Sequence, residues 1–418
     1  MIVFAFDKEF PGHDGDTRMV PFSSDLYSGS IMHHPDVFQK TFLWAFLKLL
    51  DGTVEYKVSD SYAHDDTPIA LFVVSAQGLP FHDKLNVISD YLRNSSIVRH
   101  KNFKIWIDFS TEGWITAGTK FHNWVIANDL QGRVLYTSGQ FDWKHIYKKF
   151  VPEKQHVIDF IPTCMWNRLH PPNEVKHLSG VELLKSFPSY RPTQNRIMCF
   201  NRYVRDHRVQ LALELENLNI LDKITFSLRA ELGDGYDDLG NQYKDYISED
   251  VFDRLKAKLP LVVDTDEFDY NWIYVEQEKT YDTFKSHPIN LVTETMYRND
   301  GRFLSEKSFK PMALRQIFLI AGNKGTLELL RHYGFKTFAQ CGIDESYDTV
   351  SDPVKRMKAL TLEIQRLVDM PEHKFQDILS KAEEIIEHNH ILIWDDEHVL
   401  KNSWGELVNY LDLFNNKG

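Results

Sequence analysis

Apolar residues come in short runs divided by turn-forming clusters, and the runs alternate between two periods. In the first half, residues 2–6, 54–58, 69–75, 104–109, 133–137 and 157–161 are apolar stretches of strand length. Between them, 35–50, 83–93 and 122–127 carry apolar positions at helical spacing, with Val37, Leu43, Phe46 and Leu50 on the first. The second half continues with predicted strands at 194–200, 224–228, 289–292 and 317–321. Its predicted helices lie at 209–216, 326–332, 354–368, 371–386 and 397–414. Such alternation predicts parallel sheets with helices on their faces, an α/β fold. Pro162, Pro171, Pro172, Pro188 and Pro192 cluster between the halves and predict a linker, so 1–190 and 191–370 are expected as separate domains.

Polar chemistry concentrates where predicted strands end. Residues 289–292 run into Thr293-Glu294, and a loop rich in Asn, Asp, Gly and Arg follows. Ser305 is then an N-cap for a helix with Glu306 and Lys307 in its first turn, and Pro311 is expected to kink or restart it. The strand 317–321 enters the turn Gly322-Asn323-Lys324-Gly325. In open α/β sheets ligands bind at the carboxyl ends of strands, and helix N-termini attract phosphate. Lys307 offers a point charge to a phosphate and Glu306 an acceptor to ribose or sugar hydroxyls; a surface ion pair with a capping carboxylate accounts for the same residues.

Upstream, the strand 194–200 runs directly into Asn201-Arg202-Tyr203-Val204-Arg205-Asp206-His207-Arg208. Arginine forks match phosphate oxygens, and clustering after a buried strand favours phosphate contact over a solvated basic face for at least one of them. Residues 261–263 form an apolar run ending in Asp264-Thr265-Asp266. An Asp-x-Asp at a strand end is how metal-dependent transferases of the GT-A architecture hold Mn²⁺ or Mg²⁺ against a diphosphate, though acidic loops contain the tripeptide by chance.

The chain has 418 residues, long for one core and natural for two. Its net charge of −12 argues against non-specific nucleic-acid coating while leaving room for one basic cleft. Cys164, Cys199 and Cys341 lack metal-ligand spacing and fit a reducing cytoplasm. No window reaches the ~18 uninterrupted apolar residues of a membrane span, and the first ten residues read as a strand and not a leader.

The Glu294, Ser305-Glu306-Lys307, 317–321 and Gly322 pattern resembles the nucleotide-sugar site of α-1,3-fucosyltransferase-like enzymes of the GT-B architecture, over roughly residues 287 to 345. With the Asn-Arg-x-x-Arg-x-His-Arg run upstream and Ile-Asp-Glu-Ser-Tyr-Asp downstream, it is similar to glycosyltransferase-like proteins of tailed phages. Thr295 stands where the family has Asn after its strand Glu, a departure that bears on the sugar. The resemblance implies two Rossmann-like domains facing a cleft, with C-terminal helices, 371–418, returning toward the first domain. It also implies a nucleotide diphosphate sugar held by Asn201, Arg202, Arg205, Arg208, Ser305 and Lys307, with Glu294 and Glu306 on hydroxyls, and an inverting transfer that needs no metal.

Such a transfer needs one base for the acceptor hydroxyl. Asp108 and Glu112 bracket a strand end, and Glu112, on the loop, is the expected base; it would equally cap the next helix. Asp7, Glu9 and His13 in the first loop are rivals. The acceptor is expected to be a glycan or a hydroxymethylated base in phage DNA. A metal-dependent transferase using Asp264 and Asp266, and a binding protein without turnover, are the alternatives.

Overall fold

The computed structural model describes residues 1–5, 50, 54–59, 67–74, 81–94, 96–110, 118–164, 195–201, 204–228, 247–263, 284–298 and 301–416. Two compact units divide the chain: Met1–Lys176 together with Asp396–Gly418, and His177–Asp395. Among the described residues no helix is long and apolar enough to cross a membrane.

In the first unit, six strands form one parallel sheet: β1 (Ile2–Ala5), β2 (Tyr56–Ser59), β3 (Ile69–Val74), β4 (Phe103–Phe109), β5 (Val134–Ser138) and β6 (Ile158–Pro162). Their order, β2-β1-β3-β4-β5-β6, reverses direction between β1 and β3, as in doubly wound Rossmann-like sheets. Continuous apolar runs mark strands buried on both faces, and alternate residues part to two cores. Phe103, Ile105 and Ile107 of β4 pack under three helices, α1 (Phe81–Asn94), α2 (Gly118–Ala127) and α3 (Trp143–Phe150), through Leu85, Ile88, Phe121, Val125 and Trp143. Trp106, on the opposite face, joins Ile2, Phe4, Leu135 and Ile161 in a second core. The two final helices of the chain, which lie within 396–416 and join this unit, cover that face with Val399, Trp404, Leu407 and Leu411.

The predicted helix at 35–50 lies outside the described residues apart from Leu50, which is buried. α3 is not among the elements the pattern predicts, although Trp143, Ile146 and Tyr147 form a buried i, i+3, i+4 stripe.

A parallel four-stranded sheet organises the second unit: β7 (Ile197–Asn201), β8 (Thr225–Leu228), β9 (Ile289–Thr293) and β10 (Ile317–Ala321), in the order β10-β9-β7-β8. Its direction reverses between β7 and β9. The helices are α4 (Asp206–Asn217), α5 (Glu249–Lys258), α6 (Glu306–Ala313), α7 (Thr326–His332), α8 (Pro353–Val368) and α9 (Glu372–Leu392). α4 is buried from His207 to Glu216 because α5 and α8 pack on it as well as the sheet. Asp352 caps α8 by accepting the Lys355 N–H at 2.8 Å, with Pro353 at the first helical position.

α9 stays with the second unit, where Asn389 exchanges hydrogen bonds of 2.8 and 2.9 Å with the Lys336 backbone. The segment that joins the first unit is therefore 396–418, made of α10 (Asp396–Ser403) and α11 (Gly405–Asn415), in place of the expected 371–418. The apolar run at 261–263 is not a buried strand. Leu261 makes one antiparallel bridge to Leu228, while Val262 and Val263 are exposed.

Candidate functional site

The β7–β9 register pairs Ile197 with Ile289 and Met198 with Asn290. Three residues further on, side chains take over. Thr293 Oγ1 donates to Asn201 Oδ1 at 2.5 Å, and Asn201 Nδ2 donates to Cys199 Sγ at 3.2 Å. The Asn201 backbone N–H donates to Ser227 Oγ at 3.0 Å, so Asn201 ties the ends of β7, β8 and β9 together at the point where the strand order reverses. That crevice, outside the carboxyl ends of the strands, is where open α/β sheets bind ligands.

Two segments deliver charge to it. Arg205 is the N-cap residue of α4, in extended backbone, and its guanidinium donates to the Thr295 carbonyl at 2.7 Å. Arg208, one turn into α4, is buried; burial, then the neighbouring Arg205, lower its pKa to about 10, opposed by the Glu306 and Glu294 carboxylates. His207 lies between them in sequence. Burial, then Arg208, lower its pKa to about 3, so the ring is neutral. Its Nε2 is 2.8 Å from the Glu294 carbonyl, which can only accept, and this assigns the proton to Nε2.

From β9 comes Glu294, fully buried and surrounded by donors. Oε1 accepts the Ser305 N–H at 3.0 Å and the Ser308 hydroxyl; Oε2 accepts the Ser305 hydroxyl at 2.7 Å and the Thr295 N–H at 2.9 Å. A carboxylate offers about four lone-pair positions, and these four donors occupy them. Expected on donor hydroxyls, Glu294 instead holds the start of α6 against the end of β9. Its physical reason is burial: a carboxylate out of water needs every acceptor position met.

Ser305 caps α6 as its sequence position predicts, accepting the Lys307 N–H at 3.3 Å. Lys307 Nζ contacts the Glu306 carboxylate and lies 3.5 Å from Ser305 Oγ. Burial works against the Glu306 carboxylate, but the Lys307 ammonium and hydrogen bonds from its own N–H and Ser305 hold it below the usual range. The side chains of Glu306 and Lys307 are 21% and 35% exposed, within reach of solvent.

A column of rings and cations backs the crevice. His207 stacks on Tyr297 with centroids 5.5 Å apart and planes at 13°, and the Arg356 guanidinium lies 4.5 Å from the Tyr297 centroid. Arg356 also donates to the carbonyls of Tyr297 (2.6 Å), Val350 (2.8 Å) and Gly322 (3.2 Å), joining α8 to the turn after β10. Gly322 admits no side chain there, since a Cβ would sit 2.5 Å from Thr326 Oγ1. The N-terminus of α7 beyond this turn is occupied by the chain itself, as Asp348 accepts the Leu327 N–H at 3.1 Å; burial pushes that carboxyl up to about 6.

The structure thus gathers Asn201, Arg205, Arg208, Glu294, Ser305, Glu306 and Lys307 at one sheet edge. Arg202, Glu112, Asp7, Glu9, His13, Asp264 and Asp266 lie outside the described residues. In the first unit, Asp108 closes β4 as a buried carboxyl, accepting Thr137 Oγ1 at 2.6 Å and Ser110 Oγ at 3.0 Å, and burial pushes it up to about 6. His207, Tyr297 and Arg356 were not singled out by the sequence pattern; the one signal is that His207 sits inside the arginine run. Chemically, three cations (Arg205, Arg208, Lys307) face two carboxylates (Glu294, Glu306), an arrangement able to take an anionic ligand.

No protein-family model matches the chain, and no curated protein matches it. Among solved structures, the E. coli trehalose-6-phosphate synthase structure bound with UDP-2-fluoro glucose is similar at 12% identity, over 97% of this chain and 98% of that one, with a TM-score of 0.42. Anabaena Alr3699/HepE in complex with UDP and glucose is similar at 12% identity, over 98% and 99%, with a TM-score of 0.43. T4 phage β-glucosyltransferase is similar at 13% identity, over 96% and 98%, with a TM-score of 0.39. Likenesses this distant say nothing of donor or acceptor.

Proposed function

We propose that this chain is a glycosyltransferase moving a sugar from a nucleotide diphosphate sugar to an acceptor hydroxyl. One observation carries the donor site: Arg205, Arg208 and Lys307 converge where the parallel sheet of the second unit reverses its strand order. The resemblance of 287–345 to α-1,3-fucosyltransferase-like enzymes supports the choice of a sugar diphosphate among anions. Arg202 belongs to the same cationic run.

In the proposed reaction the acceptor oxygen attacks the anomeric carbon as its proton passes to Glu112, and the bond from that carbon to the diphosphate breaks with inversion. The cations stabilise charge developing on the leaving diphosphate, the role a divalent metal takes elsewhere, so no metal is required. Glu294 serves the site by holding Ser305 and the first turn of α6, which fixes where Lys307 points. The acceptor is a glycan or a hydroxymethylated base in DNA, and the setting is the cytoplasm.

Calorimetry against UDP, GDP, ADP and their sugars identifies the donor nucleotide, and turnover of the bound sugar nucleotide in the presence of EDTA tests the chemistry. Binding with metal-independent turnover is expected. Binding without turnover of any donor, alone or with glycan and DNA acceptors, favours a non-catalytic protein. Loss of turnover in EDTA, restored by Mn²⁺, contradicts the metal-free mechanism.

A further inference from the structure

The first unit carries a concentration of positive charge that the chemistry above leaves unused. Residues 144–156 hold Lys144, Lys148, Lys149 and Lys154, with His145 and His156, against one acid, Glu153, in a chain of net charge −12. α3 itself contains no acidic residue, and Lys144, His145, Lys148 and Lys149 are all exposed on it. Its apolar stripe, Trp143, Ile146 and Tyr147, is buried, so the cations make up the outward face. Lys144 and Lys148 stand one turn apart, as do His145 and Lys149, which sets them in two adjacent rows. Lys148 Nζ lies 2.7 Å from the Glu153 carboxylate, which Lys148 first, then His156 and Lys144, hold below the ordinary carboxylate range. One exposed acid thus sits among two lysines and a histidine. Phe150, at the end of the helix, is 57% exposed. Like charges one turn apart weaken a helix, and no acid on α3 offsets them, so the face gains from an anionic partner.

We propose that the outer face of α3 binds the phosphate backbone of duplex DNA through Lys144, Lys148 and Lys149, with Lys154 beside them. Taken with the transfer reading above, on which it rests, such a face selects DNA over a glycan as the acceptor. Residues one turn apart rise about 6 Å along the helix, and a DNA strand offers a phosphate about every 3.4 Å of its axis, so both lysines of a row can reach one strand. Backbone contacts carry no sequence information; they hold the duplex in place while a base is modified. A single basic face on an acidic chain does this without coating the duplex. A bilayer fits less well, because the apolar side of α3 is committed to the core and one protruding Phe remains.

Fluorescence anisotropy with a labelled mixed-sequence duplex of about 20 base pairs, without sugar nucleotide, tests this at about 50 and about 200 mM salt. Three lysine–phosphate contacts give a salt slope of about −2.7, so wild-type affinity should fall about 40-fold between the two. The variant Lys144→Ala/Lys148→Ala/Lys149→Ala should bind at least about tenfold more weakly at the lower salt, with the slope nearly gone. It should melt no lower than the wild type, since alanine favours the helix and the like-charge pair is removed. Lys355→Ala/Lys374→Ala/Lys381→Ala takes the same charge from exposed positions of α8 and α9 and should bind as the wild type does. Glu153→Gln should bind more tightly. With turnover in hand, the α3 variant should raise KM for a hydroxymethylated duplex and leave KM for the donor unchanged; two unchanged values overturn the choice of acceptor. No duplex binding by the wild type at the lower salt, or an equal loss in both triple variants, overturns the proposal, as does binding to phosphatidylserine vesicles and not to the duplex. Failure of every nucleoside diphosphate to bind refutes the donor reading instead, and the duplex titrations still decide the role of α3.

Discussion

The Ser305 hydroxyl donates to Glu294 Oε2 across 2.7 Å and accepts the Lys307 backbone N–H across 3.3 Å. One side chain therefore links the end of β9 to the first turn of α6, and with it the acid that shapes the site to the cation that serves it. Ser305→Ala removes a helix cap worth about 1 kcal/mol and strands part of a buried carboxylate, for a total of about 2–3 kcal/mol. Thermal denaturation should show the second unit melting several degrees lower, and Ser305→Thr, which keeps the hydroxyl, should restore most of the loss.

Asp108 gives the first unit an unusual pH dependence. Its folded pKa is raised by burial to about 6, above the ordinary value of about 3.9. Between those values the folded state binds more protons than the unfolded one, so this group lowers stability as pH rises, by up to roughly 2–3 kcal/mol. Asp108→Asn keeps the acceptor for Thr137 and cannot ionise. The variant should be more stable than the wild type at pH 8 and lose that advantage by pH 4. A difference that stays constant with pH would show that Asp108 does not titrate in this window.

α10 and α11 are as much a part of the first unit as its own strands. Trp404, Leu407 and Leu411 lie on Phe4 and Trp106, while Asp159 accepts from Lys104 at 2.7 Å and from the Tyr410 hydroxyl at 2.5 Å. Trp404→Ala empties a fully buried site and should cost about 3–5 kcal/mol. Proteolysis should then cut the first unit at lower denaturant while leaving the second protected.

Glu112 follows β4, the strand that carries Asp108, in sequence. Glu112→Gln keeps its shape and removes proton acceptance, so kcat should fall by ~10²–10⁴ with donor affinity intact. Near-normal turnover would move the base to Asp7, Glu9 or His13.

Local signals carried the sequence reading a long way, and tertiary closure marks where they stop. The strand–helix alternation, the Ser305 cap and the helix predicted at 354–368 depend on neighbours in the chain, and the structure shows each of them. The role of Glu294 depends on Ser305 and Ser308, eleven and fourteen residues away, and becomes visible once the loop folds back. The His207–Tyr297–Arg356 column joins residues from three separate segments, and no spacing within any one of them announces it. At 261–263 the apolar run makes one bridge to β8 through Leu261, while Val262 and Val263 are exposed.

Lys307 provides the most direct test of the central claim, that the edge of the second sheet binds a nucleotide diphosphate. Lys307→Ala keeps the helix, because alanine is its best former, and removes the charge. A charge-assisted contact to a phosphate is worth about 1.5–3 kcal/mol, so calorimetry with the nucleoside diphosphate that binds the wild type should show a ~10- to 100-fold weaker affinity, with the melting temperature of the free protein nearly unchanged. Equal affinities for the two proteins would contradict the account, leaving Lys307 and Glu306 as an ion pair of the surface.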